Sequence, residues 1–230
     1  MSPNYVDSIL VKPDDPTLDS DFITFESPKG GGTIKGLLSK PKDATKKLPG
    51  VIVVHENRGL NPYIEDVGRR TAKEGFISLA PDALSPLGGY PGNDDDGRAM
   101  QKKRDRNEML EDFIAAFETL KNHPDCNGKI GVVGFCFGGW ISNMMAVKVP
   151  GLKAAVPFYG GQADAEDVRD VVTTRMTESP AYWQDYYSGT QMQVTQLRTF
   201  SYSDRIRYYW TDPEVAKSLE ALLARLDGVV

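Results

Sequence analysis

Histidine and cysteine are scarce here, with two of each among 230 residues. Two cysteines, Cys126 and Cys136, cannot build the disulfide framework of a small secreted scaffold. Long apolar runs are missing too. None approaches the roughly 18 residues of a membrane-spanning helix, so no membrane partner is expected. The first residues, Met1-Ser2-Pro3-Asn4-Tyr5-Val6-Asp7, lack the charged and apolar regions of a secretory signal, and a cytoplasmic location is the expectation. Basic charge is also in short supply. Lys and Arg number 27 against 32 Asp and Glu, a net charge of −5, with no basic stripe. That balance argues against electrostatic binding of nucleic acid. The one basic cluster, Lys102-Lys103-Arg104-Asp105-Arg106, falls in a predicted helix and reads as a solvated face.

What is present is ordinary for a globular chain able to bury a core: 40% hydrophobic and 26% charged residues. The length suits one α/β domain or two small ones. Residues 1–20 read as an irregular lead-in. Residues 22–26 and 33–39 alternate as β-strands and predict an antiparallel hairpin. Residues 50–55 form an apolar run ending in polar side chains, as a buried parallel strand does when it delivers groups to a cleft. A helix over 64–74, a strand over 76–80 and a loop over 86–96 follow. Then come one long amphipathic helix over 98–122, a strand over 129–134, a helix over 140–148 and a strand over 152–159. Alternation of this kind predicts a mostly parallel sheet with helices on both faces. Its functional groups are expected beyond the carboxyl ends of the strands.

The most informative stretch is Gly134-Phe135-Cys136-Phe137-Gly138-Gly139 after the apolar run 130–133. A strand that stops abruptly, a helix that starts at once and flanking glycines make a nucleophile elbow of the α/β-hydrolase kind, with cysteine in the usual place of serine. A thiol at a helix N-terminus is expected to ionise more readily than a free one, and the thiolate is the nucleophile. The alternative is a tight turn holding an inert cysteine. A base normally follows such a nucleophile in the chain, yet His55 and His123 both precede Cys136. His55 and Glu56 are adjacent, so a regular strand points them to opposite faces. His55 then reads as a packed or hydrogen-bonded residue and His123 as part of a helix-ending turn. Cys126 sits in a polar turn and reads as incidental. Tyr159 and Trp140 read as packing residues, Arg58 and Arg98 as surface ion pairs.

Four ordered motifs extend the pattern: Val53-Val54-His55-Glu56-Asn57-Arg58-Gly59-Leu60, Ala80-Pro81-Asp82-Ala83-Leu84-Ser85-Pro86-Leu87-Gly88-Gly89, the elbow itself, and Ala155-Val156-Pro157-Phe158-Tyr159-Gly160-Gly161. With them, residues from about 18 to 172 resemble the dienelactone hydrolase family. The resemblance implies hydrolysis of a small carboxylic ester or lactone by a Cys–His–Asp triad, with no metal or organic cofactor. It implies Cys136 as the nucleophile and Glu56 as the glutamate touching the resting cysteine. It implies the backbone N–H groups of Phe137 and Asn57 as the oxyanion hole, and Asp82 as a loop-shaping residue. Nothing downstream matches the triad Asp or His, so impaired activity is expected. The alternative is a catalytically inactive fusion or interaction protein.

Residues from about 176 to 226, with Pro180-Ala181-Tyr182-Trp183-Gln184-Asp185-Tyr186-Tyr187 and Ser203-Asp204-Arg205-Ile206-Arg207-Tyr208-Tyr209-Trp210, resemble the C-terminal end of the non-catalytic subunit of class II tagatose-bisphosphate aldolase. Arg205 and Arg207 read as part of an aromatic–arginine surface. The expected organisation is a truncated α/β-hydrolase domain over 1–172, lacking its last strands. A helical, aromatic-rich segment of different origin over 173–230 then ends in a helix over 214–226. An uncovered hydrophobic edge on the strand 152–159 is expected to favour self-association.

Overall fold

The computed structural model describes residues 10–161 and 163. The readings for residues 173–230, including the final helix and the aromatic–arginine surface, lie outside the described residues. Among the described residues six strands form one sheet: β1 (Leu18–Ser27), β2 (Gly32–Pro41), β3 (Leu48–Val54), β4 (Ile77–Pro81), β5 (Cys126–Phe135) and β6 (Ala154–Phe158), in the spatial order β1-β2-β4-β3-β5-β6. The hairpin β1–β2 is antiparallel and joins the sheet antiparallel to β4. From β4 onward the strands are parallel. Among the described residues β6 pairs with β5 alone, and Pro157, which has no N–H to offer a further strand, stands in it.

The described residues form four α-helices: α1 (Pro62–Lys73), α2 (Asp94–Gln101), α3 (Arg106–Lys121) and α4 (Phe137–Lys148); α1 covers one face of the sheet, and α3 and α4 cover the other. The continuous apolar run of β3 follows from this layering. Ile52 and Val54 face the cluster built with Phe113 and Phe117 of α3 and Ile141 and Met145 of α4. Val51 and Val53 face the cluster built with Ile64 and Val67 of α1. Successive residues point to opposite faces, and both faces are buried, so every position is apolar. No helix among the described residues is long and apolar enough to cross a membrane.

Four expectations need correction. The helix predicted over 98–122 is two helices, broken at residues 102–105. Asp105 caps α3, its carboxylate accepting from the amides of Asn107 and Glu108 at 2.8 and 3.0 Å. The loop predicted over 86–96 gives way to α2 at Asp94, where Asn93 accepts from the amide of Asp96 and three acidic residues sit at the positive helix end. The basic cluster is a solvated face at Lys102, Lys103 and Arg106, which are exposed, but not at Arg104. Arg104 has a side chain only 4% exposed, lies 3.1 Å from Asp112 and donates to the carbonyl of Ala83. Arg106 stacks on Trp140 at 3.6 Å. Cys126 is not in a turn either: it opens β5 and is buried.

Candidate active site

At the carboxyl end of β5 the chain reverses within one residue. Cys136 has φ 56° and ψ −111°, a conformation rare for a residue with a Cβ, and α4 begins at Phe137. Such strain costs on the order of 1–3 kcal/mol and persists only where neighbours hold it. Here they do. The Cys136 amide donates to the carbonyl of Phe158 at 3.0 Å, and its carbonyl accepts from Gly139 and Trp140 at 3.0 and 3.2 Å. The glycines are needed for close approach. A Cβ on Gly134 would lie 2.1 Å from the carbonyl oxygen of Gly138, and one on Gly138 would lie 2.5 Å from that of Val54. The Cys136 side chain is left half-exposed beside the ends of β3 and β6.

The end of β3 separates His55 from Glu56 as strand alternation requires. His55 is 0% exposed, between the rings of Phe113 and Phe137. Its Nε2 accepts from the amide of Ala83 at 3.1 Å, so Nδ1 carries the proton and donates to the carbonyl of Glu56 at 2.5 Å. Burial pushes its pKa down, against the pull of Asp82, and both ring nitrogens are already committed. The reading of His55 as a hydrogen-bonded, packed residue holds. So does that of His123, whose Nδ1 accepts from the amide of Asp125 in the turn after α3. Asp82 shapes its loop as expected, accepting from the amides of Leu60, Leu84 and Tyr90.

Glu56 turns the other way. Its Oε1 accepts from the hydroxyl of Tyr159 at 2.8 Å, and its Oε2 lies 3.4 Å from Nη2 of Arg58. No hydrogen bond joins the Cys136 thiol to Glu56 among the described residues. Arg58 reaches past Glu56 to Asp94 at 2.8 Å, so it is an ion pair as read, although its side chain is mostly covered. Arg98 pairs with Asp95 at 2.9 Å. Asn57 is exposed, and its amide and that of Phe137 have no protein acceptor among the described residues. Trp140 packs in the core as expected. Tyr159 does not: it is 62% exposed, has φ 35°, and its phenol pKa is pushed up by desolvation and by the bond to Glu56. Tyr63, edge-on to Phe135 at 6.4 Å, and the Phe135–Phe158 stack at 4.8 Å complete an aromatic side. Sequence reasoning missed Tyr63 and Asp94; for Asp94 the available signal was the Asn93 cap followed by acids.

Residues 34–182 match the model of the dienelactone hydrolase family, well over half of the chain. The chain belongs to the dienelactone hydrolase family. Residues 152–230 also match a model described as D-tagatose-1,6-bisphosphate aldolase subunit GatZ/KbaZ-like, so the two matches overlap across β6. The hydrolase fragment YghX of Escherichia coli K12 is 55% identical over 105 residues, 46% of this chain and 90% of that one. A Synechocystis protein named carboxymethylenebutenolidase is 34% identical over 151 residues, 63% of this chain and 61% of that one. Among solved structures, the dienelactone hydrolase-like promiscuous phosphotriesterase P91 from metagenomic libraries aligns with TM-score 0.55 and 25% identity. That alignment covers 67% of this chain and 65% of P91. The chain thus spans a little under two thirds of the length of these last two relatives.

The two cysteines differ sharply in their surroundings. Cys126 is buried, its pKa pushed up by burial, and its sulfur accepts from the amide of Gly128. Alkylation of the folded protein at neutral pH is therefore expected to reach Cys136 well before Cys126. Mass spectrometry of the labelled peptides checks this, and equal rates would count against it.

Proposed function

We propose that the chain hydrolyses a small carboxylic ester or lactone through Cys136. The observation that carries this reading is the elbow: a half-exposed cysteine, strained and fixed at the carboxyl end of a parallel sheet. The sulfur attacks the carbonyl carbon, the carbonyl oxygen becomes an oxyanion, and the amides of Phe137 and Asn57 are the donors proposed to receive it. Collapse breaks the carbonyl–oxygen single bond, the alcohol leaves with a proton, and an acyl-cysteine remains for water to cleave. The relatives named carboxymethylenebutenolidase support a lactone or ester as substrate.

The same chemistry runs slowly here, because neither histidine of the sequence serves the sulfur. His55 has both nitrogens engaged elsewhere. His123 precedes a strand of ten residues that ends next to Cys136, so about 30 Å separates them at about 3.3 Å per residue. In triad enzymes the catalysis left without the triad is roughly 10³–10⁴-fold over water. A non-hydrolytic interaction protein is the second reading, favoured by that missing base and by the second family match. The organisation we propose keeps a hydrolase domain over 1–172 and a segment of different origin over 173–230. Two different family matches, over residues 34–182 and 152–230, support this reading.

Stopped-flow hydrolysis of p-nitrophenyl acetate tests the proposal. The expected trace is a burst of at most one equivalent, then a slow steady state, with acetylation on Cys136. Cys136→Ala removes the burst. Steady turnover at ordinary enzyme rates that needs Cys136 would overturn the impairment. The lack of both burst and acyl-cysteine would overturn the nucleophile.

A further inference from the structure

Around Cys136 the described acidic side chains are Glu56 and, behind Arg58, Asp94. A sulfur anion or an oxyanion formed there would face like charge. Arg58 is the cation placed among them; its Nε is buried without a hydrogen-bond partner, and its two terminal nitrogens are directed by carboxylates. Asp94, in the first turn of α2, accepts from Arg58 at 2.8 Å, from Asn61 at 3.2 Å and from the Tyr90 hydroxyl at 2.9 Å. The bond from Arg58, assisted by those from Asn61 and Tyr90, holds the Asp94 carboxyl below its ordinary pKa. From the other side, α2 presses its backbone on Arg58: a Cβ on Gly97 would lie 2.3 Å from the Arg58 carbonyl oxygen. With one guanidinium nitrogen on Asp94, the other lies 3.4 Å from Glu56 Oε2, while Tyr159 holds Oε1. Glu56 is thus gripped from the β3 loop and from the end of β6. The Arg58 cation is favoured first by Asp94, then by the charges of Glu56 and Cys136.

We infer that Arg58, anchored by Asp94, is a positioning residue that fixes Glu56 against Tyr159 and supplies positive charge at the mouth of the Cys136 elbow. The inference rests on Cys136 as the reactive group, and it is tested on thiol chemistry so that it stands or falls apart from ester turnover. The probes are iodoacetate, an anion, and iodoacetamide, its neutral counterpart. Each alkylates the Cys136 sulfur with release of iodide. The readout is the ratio of the two rate constants at Cys136 in the full chain, with Cys126 as the reporter of intact folding.

Arg58→Gln is expected to lower the iodoacetate-to-iodoacetamide ratio about two- to fivefold, the scale of a partly screened charge contact. Arg58→Lys, which keeps the charge, restores most of it. Asp94→Asn separates positioning from charge counting. It removes a negative charge, so simple electrostatics raises the ratio, whereas loss of the anchor lowers it. An unchanged ratio in Arg58→Gln overturns the inference. If that variant exposes Cys126 through unfolding, Asp94→Asn decides: a lowered ratio supports the anchored cation and a raised or unchanged one overturns it.

Discussion

Gly138→Ala is expected to lower the unfolding free energy by about 3 kcal/mol, the upper end of the usual cost of overpacking. The added methyl would stand 2.5 Å from the carbonyl oxygen of Val54 and 2.7 Å from that of His55. Both obstacles are backbone, so no rotamer change relieves the clash. Relief requires moving α4 away from the end of β3, which pulls the elbow from the strand end bearing Glu56 and Asn57. Cys136 labelling is then expected to lose its lead over Cys126 in the same variant. Gly68 provides the contrast. It lies inside α1, where a Cβ would meet only ordinary contacts at 3.7 and 3.8 Å. Gly68→Ala is expected to be neutral or stabilising by roughly 0.5–1 kcal/mol, since alanine restricts the unfolded chain. Urea melts of the two variants check the pair. Equal stability would mean that the close approach at the elbow is not a constraint.

The elbow was legible because its physics is local. A strand, a glycine, a strained residue and two more glycines can be read in six letters, and the positions they demand are those found. The buried strand β3 was legible for a related reason: apolar residues on both faces leave a run that no half-exposed strand produces. The separation of His55 from Glu56 followed from alternation alone. What escaped depended on partners far along the chain. The break before α3 was hidden because the apolar stripe Met109, Phe113, Phe117, Leu120 makes a helix visible without showing where it starts. The clue was Asp105, a good cap in the middle of what looked like helix. Tyr159 looked like a core aromatic because it follows an apolar strand, but its hydroxyl answers to Glu56, 103 residues earlier. Asp94 could not be recognised as the anchor of Arg58 from a stretch of glycine, proline and aspartate that reads as loop.

The buried pair Arg104–Asp112 carries the other large effect. Asp112 is 0% exposed, its Oδ1 accepts from the amide of Gly31 at 2.7 Å, and its Oδ2 lies 3.1 Å from Arg104. That approach, made by Nη1, is close enough for ionic attraction but does not form a hydrogen bond, so Asp112 Oδ2 has no hydrogen-bond partner; Arg104 Nη2, 3.8 Å from Glu108, has none either. The pair ties the β1–β2 turn to α3, while Arg104 ties α3 to the loop after β4 through the carbonyl of Ala83. Removing one member leaves the other charge buried. Asp112→Ala is therefore expected to cost about 3–5 kcal/mol, a large share of the roughly 5–15 kcal/mol that a domain has in total. Arg104→Met should cost a similar amount, since Asp112 is then the orphan. The double variant R104M/D112L removes both charges and refills the space, and buried pairs replaced in this way are often neutral. It is expected to be more stable than either single variant, with strong coupling in a double-mutant cycle. Equilibrium urea denaturation of the four proteins measures it. Additive losses would show that the two charges do not depend on each other, and that the turn and α3 are held by packing alone.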